Sequence, residues 1–219
     1  MAKKKAMVDP ETIARKAVAA LKREYDGATC ALEHQSALQL LIATILSAQC
    51  TDARVNLVTK ELFRKYRDAQ AFVKAPQEEL EQDVRSTGFY RNKAKSIKGA
   101  CLKIVEDFGG EVPGTMDELL TLPGVARKTA NVVLGTWFGK NEGVVVDTHV
   151  KRISGLLGMS RESSPEKIEQ ELMRLIPREE WTNFSHQLIW HGRKVCVARR
   201  PKCCACMMSG FCPSAMLSP

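Results

Sequence analysis

The chain has 219 residues and is 44% hydrophobic, enough to bury one core or two small ones, and its ordinary charge content excludes a disordered chain. A net charge of +8 suits a polyanionic partner, nucleic acid first. No apolar run reaches the ~20 residues of a membrane span, and Lys3, Lys4 and Lys5 precede no signal-like apolar stretch. A cytoplasmic protein with no membrane partner is expected, and there cysteines are not read as disulfides.

The pattern is helical almost throughout. Residues 12–25 place Ile13, Ala17, Ala20, Leu21 and Tyr25 at near-helical spacing. Residues 37–48 are apolar nearly all round, as in a buried central helix. Residues 56–65 and 76–87 read as amphipathic helices. In residues 93–108, Ile97, Cys101, Ile104, Val105 and Phe108 share one face, and Gly109-Gly110 ends the run. A short helix over 117–122 stops at Pro123-Gly124. The next spans 127–138, with Ala130, Val133, Leu134 and Trp137 inward. Val144, Val145 and Val146 form the one strand-like run, with no evident pairing partner. Residues 165–176 and 183–191 give the last helices. The fold class is all-α.

The Pro123-Gly124 turn joins two helices tightly, the second beginning near Ala126. The free N–H groups and positive dipole end of that helix suit a phosphate. Lys128 lies in its first turn, where a cation opposes the dipole. Partial burial would further disfavour the charged amine, as a nucleophilic lysine needs. Asp147 follows the valine run and precedes a helical stretch. It suits an N-cap, and also a carboxylate that assists proton transfer or stabilises a developing cation. His149 reads as a structural hydrogen-bonding residue.

Five of the eight cysteines fall between Cys196 and Cys212. Cys196, Cys203, Cys206 and Cys212 are spaced C-x6-C-x2-C-x5-C, which implies tetrahedral zinc or an iron–sulfur cluster. Only Cys203 and Cys206 form a C-x2-C knuckle, whereas zinc sites usually use two, so the spacing leans towards iron–sulfur. Cys204 is either a spare thiol or a rival to Cys203 as ligand. Cys30, Cys50 and Cys101 read as packing residues. Arg199, Arg200 and Lys202 make the loop basic and suited to phosphates.

The hairpin with Lys128, the Val-Val-Asp147-Thr-His149 segment and the four-cysteine spacing together closely resemble the endonuclease III family of helix–hairpin–helix DNA glycosylases. The likeness runs from about Ala37 to Cys212. It implies two helical domains with a DNA-binding cleft between them: a six-helix barrel with the helix–hairpin–helix motif over 30–141, and 1–29 plus 142–219 holding a [4Fe–4S] cluster on the four cysteines. Lys128 matches the family's lysine nucleophile and Asp147 its catalytic aspartate. Gln49 matches the glutamine that fills the gap left by a flipped base, and Phe89 falls where members often carry a leucine wedge. Gly124, Val125 and Ala126 form the phosphate-binding turn. At Ala126 the family usually has a second glycine: alanine is strained there if φ must be positive, and harmless if the position is already helical.

The resemblance implies a bifunctional DNA glycosylase and abasic-site lyase of base excision repair. It would act as a monomer on double-stranded DNA containing oxidised pyrimidines or abasic sites, and in a bacterium would work at the nucleoid. Two other readings remain: a monofunctional mismatch or purine glycosylase of the same fold, against which Lys128 argues, and a non-catalytic iron–sulfur DNA-binding protein, which leaves Lys128 and Asp147 unexplained.

Overall fold

The computed structural model describes residues 9–215. Lys3, Lys4 and Lys5, and the ends of the domain expected over 1–29 plus 142–219, lie outside the described residues. Among the described residues all regular structure is helical. The chain divides into two units, one formed by Met1–Thr29 with Asn141–Pro219, the other by Cys30–Lys140.

The Cys30–Lys140 unit contains seven helices: α2 (Ala37–Leu46), α3 (Asp52–Lys65), α4 (Ala69–Lys74), α5 (Gln77–Val84), α6 (Tyr90–Asp107), α7 (Met116–Leu120) and α8 (Arg127–Thr136). Side-chain caps start four of them. Ser36, Thr51, Asp68 and Thr115 accept hydrogen bonds from the backbone N–H three residues on. From Leu40 to Leu46 every residue of α2 is buried, as its unbroken apolar run predicts. Around it pack Val55, Leu62, Phe72, Leu80, Ile97, Ile104, Leu119, Val133 and Leu134. Each such fully buried aliphatic or aromatic side chain contributes about 1.5–3 kcal/mol. Ala130, Val133 and Leu134 of α8 point inward as expected. Trp137 does not: it is 43% exposed, and its ring meets His34 edge-on instead of entering the core. It caps the end of α8, where the helical period no longer fixes its direction.

The second unit contains α1 (Pro10–Glu24), α9 (Thr148–Leu157), α10 (Pro165–Leu175) and α11 (Trp181–Lys194). Asp9 caps α1, and Pro10 occupies the first helical position, where its missing N–H is not needed. Ile13, Ala17, Ala20, Leu21 and Tyr25 all turn inward, against Val150, Ile153, Leu172, Phe184 and Leu188. Val144, Val145 and Val146 are buried and lie outside any helix, but no strand forms among the described residues. Their backbone is partly satisfied by a side chain: Val145 N–H donates to Ser185 Oγ at 3.0 Å, and that hydroxyl donates to Trp181 O at 2.8 Å. A buried N–H away from a sheet needs such a partner.

Candidate active site

The Cys30–Lys140 unit carries the hairpin. Leu122 and Val125 are buried and anchor the turn, while Gly124 and Ala126 are exposed. Gly124 has φ +77°, the left-handed region that favours glycine. It also abuts α6: a Cβ there would lie 2.5 Å from Ser96 Cβ. Ala126 is the N-cap of α8, with φ −97° and ψ 170°, so the family's usual glycine is not required and alanine bears no strain. No side chain caps α8, which leaves its N-terminal end suited to an anion. Lys128 is the second residue of this helix and is exposed. The partial burial considered for it is therefore not met within the protein alone.

Two further turns of this unit carry Gln49 and Phe89. Both are exposed and both adopt left-handed backbone, with φ 53° and 48°. Non-glycine residues rarely do so, and the strain persists only where the surroundings hold it. Among the described residues Arg200 is the one other non-glycine position with positive φ. Sequence reasoning missed Lys93, which is 5% exposed and donates to the carbonyls of Leu46 at 2.8 Å and Thr87 at 2.7 Å. A lysine reads as a surface residue by default, and no local motif marks this one.

In the other unit Asp147 is half-buried and caps α9. Its Oδ1 accepts from His149 N–H and Val150 N–H, both at 2.8 Å, so Oδ2 takes no part in the cap. Packing of α9 on α11 fixes where this carboxylate stands. Gly192 leaves room for His149, since a Cβ there would meet His149 Nδ1 at 2.7 Å. Arg152 joins the same helices by donating to Cys196 O at 2.6 Å and Gly192 O at 3.3 Å. His149 Nδ1 lies 3.4 Å from Arg152 Nη2, in keeping with a structural role. Burial holds its imidazole below the usual histidine range, partly offset by Asp147.

Cys196, Cys203, Cys206 and Cys212 all line one cavity, together with Ile153, Leu157 and Met208, whereas Cys204 is exposed and does not line it. Burial raises the Cys196 and Cys206 thiols above the ordinary range, and the neighbouring cysteines add to the effect. Among the described residues no three potential ligands converge on a single-ion geometry. The buried His191 sits behind this cavity, with Nε2 3.5 Å from Cys206 Sγ and Nδ1 3.1 Å from the Tyr25 hydroxyl. Burial pushes its pKa down to about 4, so the ring is neutral and donates through one nitrogen only. Nε2–H directed at Cys206, with Tyr25 donating to Nδ1, satisfies both contacts. Arg199, Arg200 and Lys202 are exposed on the adjoining loop.

Residues 42–178 match the family model of the HhH-GPD superfamily of base excision DNA repair proteins. The chain is 59% identical over 198 residues to the endonuclease III of Synechocystis sp., covering 90% of each. It is 49% identical over 186 residues to that of Bacillus subtilis, covering 84% of each. A solved non-covalent endonuclease III–DNA complex matches with a TM-score of 0.90 at 46% identity, over 95% of this chain and 97% of that one. A trapped covalent endonuclease III–DNA intermediate also matches at 0.90, with 45% identity over 95% and 98%. These likenesses define an HhH-GPD base excision repair protein. Within that class, the chain belongs to the endonuclease III family.

Proposed function

We propose that the protein removes oxidised pyrimidines from duplex DNA with Lys128 as nucleophile and Asp147 as its carboxylate partner, and then cuts the strand. As a member of the endonuclease III family it is a bifunctional DNA glycosylase and abasic-site lyase that acts on double-stranded DNA. The observation that carries the residue assignment is Lys128 itself. It stands exposed at the second position of α8, beside an N-terminus that no side chain caps.

A flipped nucleotide presents C1′ to Lys128. The neutral amine attacks C1′, and the departing base takes the electron pair of the glycosidic bond and gains a proton. Asp147 promotes this departure, with Oδ2 available while Oδ1 holds the start of α9. Opening of the sugar gives a Schiff base between Nζ and C1′. Loss of a C2′ proton then expels the 3′ phosphate by β-elimination, nicking the strand 3′ to the lesion. The Val125 N–H closes the turn by donating to Leu122 O at 3.1 Å, so phosphates flanking the lesion fit the N–H groups of Gly124 and Ala126 beside it, and the cations Arg199, Arg200 and Lys202. Gln49 fills the space left by the flipped nucleotide, and Phe89 unstacks the opposite strand.

A [4Fe–4S] cluster on Cys196, Cys203, Cys206 and Cys212 would cross-link the C-terminal loop and hold its basic residues in place. The donor set fits, since the four thiols line one cavity without converging on a single point, and a four-iron cluster spreads its ligands more widely than one zinc ion. In a bacterial cell the protein would work on the nucleoid in the cytoplasm.

Single-turnover reaction on a duplex with one thymine glycol tests this reading. Base release and a nick 3′ to the lesion are expected together, and both are lost in Lys128→Ala. Base release without a nick would support the monofunctional alternative. Binding with neither reaction would support the non-catalytic one.

A further inference from the structure

The two strained turns of the Cys30–Lys140 unit share one buried cation. Leu46 is the last residue of α2, and its carbonyl is among those that a helix end leaves without an internal partner. Gln49 follows three residues later. Thr87 ends the single 3-10 turn Arg85–Thr87, and Phe89 follows two residues later. Both carbonyls receive the ammonium of Lys93, from the first turns of α6. The two turns are otherwise remote in sequence.

Lysine is an expensive choice for this position. Burial opposes its charge and holds the amine below the usual lysine range, with Cys50 working in the other direction. Its hydrogen-bonding partners are main-chain oxygens rather than a carboxylate. A compact ammonium with several donors on a long stem suits two carbonyls arriving from different elements. Two left-handed residues, each a few positions beyond a clamped carbonyl, are held where an unconstrained turn would relax.

We propose that Lys93 is a positioning residue that locks the Gln49 and Phe89 turns to each other, so that both side chains enter a damaged duplex as one unit. This rests on reading Gln49 and Phe89 as the residues that enter DNA. It adds a mechanical link between them. A lesion that accommodates one side chain also recruits the other, and discrimination between damaged and intact DNA depends on the pair.

The test uses the full-length, cluster-loaded protein and two duplexes, one intact and one with a tetrahydrofuran abasic-site analogue opposite 2-aminopurine. Lys93→Met is expected to lower the preference for the analogue by about tenfold. Binding to intact duplex stays unchanged, and the 2-aminopurine fluorescence rise is lost. In the native background, the effects of Gln49→Ala and Phe89→Ala on preference are expected to be non-additive; in Lys93→Met they become additive. A Lys93→Met protein that loses only thermal stability, with preference and coupling intact, overturns the proposal. If Gln49→Ala and Phe89→Ala leave preference unchanged in the native background, the DNA-entry reading itself falls, and the proposal with it. Should Lys93→Met not fold, amide exchange in proteins retaining Lys93 decides. Phe89→Ala should speed exchange over residues 47–50, and unchanged exchange there overturns the clamp.

Discussion

Gly124 sits so close to Ser96 that a β-carbon on it would come within 2.5 Å of Ser96 Cβ and 2.6 Å of its Oγ. The hairpin turn is thus pressed onto α6 at a point that also requires positive φ. Gly124→Ala is expected to destabilise the protein by about 2–4 kcal/mol, combining left-handed strain with overpacking. Ala126→Gly, two residues on, should change stability by less than about 1 kcal/mol in either direction, because its backbone is extended and glycine's better N-capping offsets its larger unfolded ensemble. Urea unfolding of both variants separates the two positions. Equal losses would contradict this account of the turn.

Asp147 caps α9, and its proposed part in base release is separable from that cap. Asp147→Ala removes the cap of α9 and should lower stability by about 1 kcal/mol. Asp147→Asn keeps an acceptor for His149 N–H and Val150 N–H and should leave stability nearly unchanged. Both variants are expected to lose base release on a thymine glycol duplex by about 100-fold or more, in the range of general acid–base catalysis. Normal activity in the asparagine variant would reduce Asp147 to a cap.

Gln49 and Phe89 pair exposure with left-handed backbone. Glycine relieves that strain but enlarges the unfolded ensemble, so Gln49→Gly and Phe89→Gly should leave the free protein equally stable or more stable by up to about 1 kcal/mol. Affinity for an abasic-site duplex should fall in the same variants. Loss of stability above that size in both would mark the residues as structural.

Cys203 shares the cavity of the other three cysteines, and Cys204 faces solvent. Cys204→Ser should therefore leave visible absorbance and iron content unchanged, whereas Cys203→Ser should lose both. The reverse pattern would exchange the ligand assignment. Retained binding of zinc alone by the purified native protein would contradict the cluster.

The helices were legible where apolar spacing was long enough to show a face, as with Ile13 to Tyr25 or the unbroken run of α2. The six-residue α4 was not, because so short a helix shows barely two turns of pattern, whereas the five-residue α7 was marked off by the Pro123-Gly124 turn after it. Three valines suggest a strand on propensity, yet Val145 finds a serine hydroxyl instead of a neighbouring strand. Among the candidate residues, Lys128, Asp147 and the cysteines stand in recognisable local spacing. Lys93, His191 and Gly192 do not. Lys93 takes one carbonyl 47 residues away, His191 meets Tyr25 166 residues away, and Gly192 matters only for the histidine packed on it. Such partnerships exist only once the chain is folded.

Under the proposed function, Lys128 forms the covalent bond to DNA. Borohydride reduction during reaction on a duplex with one abasic site, followed by digestion and mass mapping of the adduct, measures it directly. A single adduct on Lys128, absent in Lys128→Ala while duplex binding persists, is the predicted result. An adduct on another amine, or undiminished trapping by Lys128→Ala, would contradict it.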